Sequence, residues 1–223
     1  MSAAVSTVSD PADGPVHCGA HPSYVWLKAR LDRFVALLAL AAAAPLLLIL
    51  AWLIRRDGHP ALFLQQRAGR DGRPFTVFKF RTMRPDVDPF GDSPQSAGDP
   101  RITRIGRWLR ETSLDELPQL INVLSGDMSL VGPRPLYLQQ MAEWNVRQRC
   151  RLLVQPGLTG LAQVSGRGGL TIEEKLELDV QYVRSFSLRT DLWLIWRTVA
   201  NVRQRGDIYE VRYSQTQQRR SSK

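Results

Sequence analysis

From Phe34 to Ile54 the chain carries no charged or polar side chain, and this run defines its first element. About 21 residues of helix cover about 32 Å, enough to cross a bilayer core. Pro45 lies mid-run, directly after Ala41–Ala44. A proline inside a helix removes one backbone donor and clashes with the carbonyl four residues back, so a kink is expected. The alanines leave room for close packing at the bend. Lys28, Arg30 and Arg33 precede the run, and Arg55 and Arg56 follow it. Positive residues favour the cytoplasmic side. Two readings therefore stand level: a straight transmembrane span, and a re-entrant helix that bends at Pro45 and leaves by the face it entered.

The pattern then changes period. Pro60–Met83 predicts a small β-hairpin unit turning at Asp71-Gly72. Alternation puts Phe78 and Phe80 on one face of its second strand and Val77, Lys79 and Arg81 on the other. Lys79 and Arg81 could grip a diphosphate, or line a solvated face. Arg84–Pro100, rich in Asp, Pro, Gly and Ser, predicts a loop. Arg101–Arg110 predicts a helix with a basic stripe at Arg101, Arg104, Arg107 and Arg110. Tyr137–Cys150 and Thr171–Phe186 read as amphipathic helices, with a turn-rich stretch, Gln155–Gly160, between them. Thr190–Val202 gathers Leu192, Trp193, Ile195, Trp196 and Val199 on one side, as a core helix or one lying in a membrane interface. The expected organisation is a flexible tail over 1–23, a membrane helix over 24–58, a catalytic domain over 59–202 and a polar basic tail over 203–223.

Composition narrows the partners. The 223 residues suffice for one domain with a core, and 43% hydrophobic content excludes a disordered chain. A net charge of +9 favours anionic partners: nucleic acid, anionic lipid or phosphorylated substrates. The two cysteines, Cys18 and Cys150, have no metal-like spacing and make a disulfide framework unlikely to be read here. The first residues have no basic start before an apolar stretch, unlike a signal peptide.

Chemistry concentrates at Ser113-Leu114-Asp115-Glu116-Leu117-Pro118-Gln119. Ser113 and Glu116 have the spacing of a capping box, which would make the carboxylates helix-start features and nothing more. Yet a helix N-terminus also presents amides to a phosphate. Arg110 lies just upstream, and Arg134 is stiffened between Pro133 and Pro135. Carboxylates among cations are expected to keep a low pKa and stay ionised, able to bind Mg²⁺ or attack phosphorus.

These residues resemble the bacterial sugar transferase family, the monotopic polyprenyl-phosphate phosphoglycosyl transferases. The resemblance covers about Tyr24 to Val202. It rests on Gln66-Arg67-x-Gly69, Phe78-Lys79-Phe80-Arg81-Thr82-Met83, Leu114–Gln119, Gly126–Pro135, Pro156–Gly160 and Ser165-Gly166-Arg167, in that order. It implies an α+β fold with an N-terminal re-entrant membrane helix broken at Pro45, a β-hairpin unit and amphipathic helices at the membrane interface. It implies transfer of a sugar-1-phosphate from a nucleotide diphosphate sugar, usually a UDP-sugar, to polyprenyl phosphate, releasing UMP. Asp115 would form a covalent aspartyl-phosphosugar. Mg²⁺ would lie near Asp115, with Glu116 aiding the metal site or the acceptor. Lys79, Arg81, Arg110, Arg134 and Arg167 would contact phosphates. Asp191 matches a family acidic position and is a candidate metal ligand, or else a first-turn charge beside Thr190. The expected location is the bacterial inner membrane, catalytic domain cytoplasmic, in glycan assembly such as exopolysaccharide synthesis. The short stretch before the membrane helix matches the small form of the family. Two departures stand out: Lys28-Ala29-Arg30-Leu31-Asp32 displaces one cation of the family's pattern, and Ala44 replaces a serine before the proline.

Two other readings compete. A nucleic-acid binder fits the charge, but no nucleic-acid motif is present and the apolar run argues against it. A membrane scaffold binding anionic lipid explains charge and anchor but not the Asp115-Glu116 and Pro133-Arg134-Pro135 constellation. The residues leave the oligomeric state open, a homodimer included.

Overall fold

The computed structural model describes residues 8–10, 14–16, 22–58, 60–87, 94, 96, 98–166 and 169–203. The architecture mixes helices and short strands around one long apolar helix. Before that helix, where a flexible tail was expected, β1 (Val8–Asp10) pairs antiparallel with β2 (Gly14–Val16).

Helix α1 (Pro22–Arg56) has 35 residues and runs through Pro45 without interruption. The expected kink thus does not divide it into two helices: one lost amide is tolerated where helical bonds continue on both sides. Its buried positions, Lys28, Asp32, Ala36, Leu50 and Ile54, recur at helical spacing along one stripe. Before Pro45 that stripe packs Ala36, Ala39 and Leu40 against Phe75, Val77, Leu120, Val123 and Met128. After it, Leu47, Leu50, Ala51 and Ile54 pack against Phe80 and Leu109. Both halves of α1 therefore rest on the same body. Around the rest of the helix, Phe34, Leu37, Leu38, Leu48, Ile49 and Trp52 are exposed.

The predicted hairpin is present. β3 (Leu62–Ala68) pairs with β4 (Pro74–Phe80), Leu62 opposite Phe80. Asp71 (φ 56°) and Gly72 (φ 73°) take the left-handed conformations that the turn requires. Phe75 and Val77 are buried with Leu117, Leu120 and Val123. Phe80 is also buried, against α1 and Leu109, so β4 keeps no wholly solvated face.

Helix α2 (Arg104–Thr112) starts three residues later than the basic stripe suggested. Thr103 is the better cap, its Oγ1 accepting from the Gly106 amide at 2.9 Å. A Cβ on Gly106 would lie 2.1 Å from the Thr82 carbonyl, so α2 meets the end of β4 backbone to backbone. A 3₁₀ helix, Leu114–Gln119, leads into α3 (Leu120–Ser125).

Two later segments depart from expectation. β5 (Ser129–Val131) pairs in parallel with β6 (Gly157–Thr159), inside the stretch read as turns. A Cβ on Gly157 would sit 2.0 Å from the Gly132 amide, so only glycine permits this approach. Tyr137–Cys150 is not one helix but a 3₁₀ helix (Leu138–Ala142), α4 (Val146–Arg149) and a second 3₁₀ helix (Cys150–Leu153). Asn145 restarts the chain: its Oδ1 accepts from the Gln148 amide at 2.8 Å while Gln148 Oε1 accepts from the Asn145 amide at 3.0 Å. After α5 (Leu161–Ser165), α6 (Ile172–Arg184) and α7 (Leu188–Arg203) form as expected, with Thr171 capping α6 through Glu174. Val131, Val154, Val164, Tyr182, Val183, Phe186 and Leu194 join these helices to β5. α7 turns Leu194 inward and leaves Leu192, Trp193, Trp196 and Val199 exposed, so the tryptophan face is not core.

Candidate active site

The 3₁₀ helix Leu114–Gln119 carries the carboxylate pair, between two apolar clusters to which α1 also contributes. Leu114 packs on the cluster of Leu50, Ile54, Phe80 and Leu109, and Leu117 on the cluster of Ala36, Phe75, Val77, Leu120, Val123 and Met128. Asp115 and Glu116 lie between these two leucines. The capping box does not form. Ser113 adopts a left-handed conformation (φ 58°) as the C-cap of α2 and makes no side-chain cap bond to the turn. Glu116 instead accepts from Lys79 Nζ and Arg134 Nη2, both at 2.9 Å from Oε1. Lys79 comes from β4, on the face that also buries Val77, and Arg134 from the proline-flanked segment after β5.

The two carboxylates sit in different electrostatic states. Burial would raise the Glu116 carboxyl, but Arg134 and Lys79 outweigh it and hold the group far below the usual range. Asp115 moves the other way: burial, then the Glu116 charge, push it up to about 6, against the pull of Lys79, Arg110 and Arg134. This corrects the expectation that both carboxylates keep low pKa values; the cations bond Glu116 and only face Asp115. Asp115 makes no hydrogen bond or ion pair with any described residue. Lys79 is lowered, chiefly by burial, with Glu116 opposing.

Arg110 is aimed by its neighbour: its Nε donates to Thr82 Oγ1 at 2.9 Å. Thr82 was not picked out as a site residue, although it lies inside the quoted Lys79–Met83 motif. Arg81 stands over the Phe63 ring at 5.6 Å, and its buried Nε has no hydrogen-bond partner. Arg167 lies outside the described residues, as does most of the basic C-terminal tail.

Asp191 is not brought to the pair. It occupies the first turn of α7, buried, where it accepts from Lys28 Nζ at 2.7 Å, Tyr24 Oη at 2.5 Å and Tyr182 Oη at 2.8 Å. Lys28 also reaches Asp32 at 3.3 Å, and Asp32 accepts from Ser129 Oγ. This network ties α1 to α6, α7 and β5, with both Asp191 oxygens engaged by cation and phenols. Asn122 is another residue the sequence did not flag. Fully buried, it accepts from the Phe78 amide at 3.1 Å and donates to the Thr76 carbonyl at 2.7 Å, fixing β4 and hence Lys79.

Three cations converging on two carboxylates, one neutralised and one unengaged, suit a nucleophile facing a polyanionic substrate. The family model described as bacterial sugar transferase matches residues 23–205. The chain is 45% identical over 188 residues to a UDP-glucose:undecaprenyl-phosphate glucose-1-phosphate transferase of Caulobacter vibrioides, covering 78% of this chain and 69% of that one. It is 42% identical over 177 residues to an uncharacterized sugar transferase of Bacillus subtilis, covering 79% and 87%. It is 38% identical over 199 residues to an undecaprenyl-phosphate galactose phosphotransferase of Salmonella typhimurium, covering 82% and 42%. The matched part thus spans most of some relatives and about two fifths of others.

Proposed function

Since the chain belongs to the bacterial sugar transferase family, we propose that it moves a sugar-1-phosphate from a UDP-sugar to undecaprenyl phosphate. The observation that carries this reading is the division within the pair: Glu116 locked by Lys79 and Arg134, Asp115 beside it without a bonded partner. An Asp115 carboxylate oxygen attacks the sugar-bearing phosphorus. The phosphoanhydride bond breaks, and UMP leaves with its electron pair. A phosphate oxygen of the lipid acceptor then attacks the same phosphorus, and the acyl-phosphate bond breaks to restore the Asp115 carboxylate. Lys79, Arg110 and Arg134 orient the diphosphate and face the charge that develops on the leaving group.

Mg²⁺ fits this donor set. Among the described residues no three His, Cys, Asp or Glu side chains form a cage. Mg²⁺ is commonly held by one or two carboxylates completed by phosphates and water, which Asp115, with Glu116 beside it, can supply. When bound, it would offset negative charge on the diphosphate.

The membrane reading follows the same logic. Exposed apolar side chains along α1 and α7 need a lipid environment. The re-entrant form of α1 is supported by basic residues at both ends and by the packing of both halves on one body. That form keeps the site on the cytoplasmic side of a bacterial inner membrane, where nucleotide sugars are.

The test is UMP release by detergent-solubilised protein with Mg²⁺, undecaprenyl phosphate and a panel of UDP-sugars, run beside Asp115→Asn. UMP from one donor, lost in the variant, is expected. UDP in place of UMP would overturn the mechanism.

A further inference from the structure

Behind the site lies a buried ion pair that the proposed chemistry does not use. Arg151 and Asp179 are 3% and 2% exposed. Arg151 Nε and Nη2 donate to Asp179 Oδ2 at 3.0 and 2.8 Å. The Arg151 guanidinium lies 4.8 Å from the Trp144 ring centroid, which limits its freedom on one face. Its Nη2 has a second acceptor, the backbone carbonyl of Arg134. Asp179 Oδ1 is buried without a partner.

An apolar pair of like volume is often as stable as a buried ion pair, or more so, because it pays no desolvation. An apolar pair cannot, however, donate to a backbone carbonyl. Arg134 lies between two prolines that have no amide to give, so a regular strand ladder cannot hold this segment. The Pro133 carbonyl accepts from the Gly157 amide at 2.9 Å, and Arg151 secures the Arg134 carbonyl. The Arg134 side chain then reaches Glu116 at 2.9 Å. We propose that Arg151, oriented by Asp179, is a positioning residue that fixes the Arg134 backbone and so aims its guanidinium at Glu116 and the substrate phosphates. This rests on the transferase reading of the site.

The test is a pair of combined variants in the full-length protein. Arg151→Met with Asp179→Leu removes both charges and leaves an apolar core. Expected is a melting temperature close to wild type, with UMP release slowed about tenfold or more, mostly in kcat. In an Arg134→Ala background the same change should alter the rate less than about twofold, because residues acting through one another are not additive. Side-chain ¹⁵N NMR of the Arg134 guanidinium gives a readout independent of turnover: its signal, held by the bond to Glu116, should broaden in the double variant as Arg134 loosens. A folded double variant with wild-type rate, or a full additional loss in the Arg134→Ala background, would overturn the proposal. If the apolar pair does not fold, Arg151→Lys decides. It keeps the charge but cannot span both acceptors, so equal slowing is expected, and a wild-type rate refutes. Wild-type protein that releases no UMP from any donor would sink the transferase reading, while the Arg134 guanidinium signal, unchanged or broadened, would still decide the positioning role.

Discussion

Asp115→Asn should abolish turnover and stabilise the protein at neutral pH. The magnitude follows from the site. Burial and the Glu116 charge raise the Asp115 carboxyl from 3.8 to about 6. A shift of one decade is worth about 1.36 kcal/mol, so the folded state gives up at most about 3 kcal/mol to keep this carboxylate ionised at pH 7. Solvent reaches part of the side chain, which reduces the expected gain to about 1–2 kcal/mol. The pH window is fixed by the sign. With its pKa higher in the folded state than in the unfolded, Asp115 binds more protons when folded between about pH 4 and 6, and the wild type loses stability as pH rises through that interval. The variant does not, so its advantage is absent near pH 4 and complete above pH 6. Glu116, whose carboxyl is held low, contributes stability that is lost on acidification, but in both proteins alike. Thermal unfolding of the two proteins in detergent with EDTA, from pH 4 to 8, measures the difference. Equal melting temperatures across that range, or an advantage that appears only in acid, would refute the assignment of Asp115 as the strained carboxylate.

Three further outcomes are expected. The kcat/KM for UMP release should fall with unit slope below about pH 6 as Asp115 protonates, and a profile flat down to pH 5 would count against a free Asp115 nucleophile. Lys79→Met leaves Glu116 with one cation and removes a phosphate contact, so kcat should drop about 100-fold; steady-state UMP release checks this, and a drop below fivefold would remove Lys79 from the site. Lys28→Met strands Asp191 and Asp32 in a buried setting and should cost about 3–5 kcal/mol in chemical denaturation, with donor KM unchanged in the folded fraction.

What could be read from the sequence was local. The hairpin announced itself through period-two strands and Asp71-Gly72, and α6 through its amphipathic pattern over Thr171–Phe186, because both signals act between near neighbours. The parallel pairing of β5 with β6 was not legible: three-residue strands are too short to show a period, and their partners lie 28 positions apart, as with Ser129 and Gly157. Ser113-x-x-Glu116 misled because its carboxylate found distant cations, Lys79 and Arg134, stronger partners than a backbone amide. The structure brings Lys79 and Arg134 to Glu116 and turns Arg110 towards Thr82 beside the pair. The split in the pair's two titrations was not legible, because burial is a tertiary property. Asp179 did leave a trace. It falls on the apolar stripe of Leu176, Val180 and Val183, where a charge implies a buried partner.

The placement of Asp115 relative to α1 bears on why a covalent route is suited to this molecule. Leu114, directly before the proposed nucleophile, joins the apolar cluster of the C-terminal half of α1, and Leu117 the cluster of its N-terminal half. The carboxylate thus lies between the two clusters that seat the helix most in need of lipid. The cations that would receive the diphosphate come from β4, α2 and the segment after β5. Three cations against two carboxylates leave one positive charge, and a diphosphate brings about two negative ones. A site of that balance attracts the soluble donor, Mg²⁺ at the pair would offset the remaining negative charge, and the proposed first step sends UMP away. Release of that anion restores cationic character just as a second, lipid-borne phosphate must enter. Two sequential phosphate substrates, one from water and one from membrane, can then share one set of cations, which a single-step reaction holding both at once would have to double.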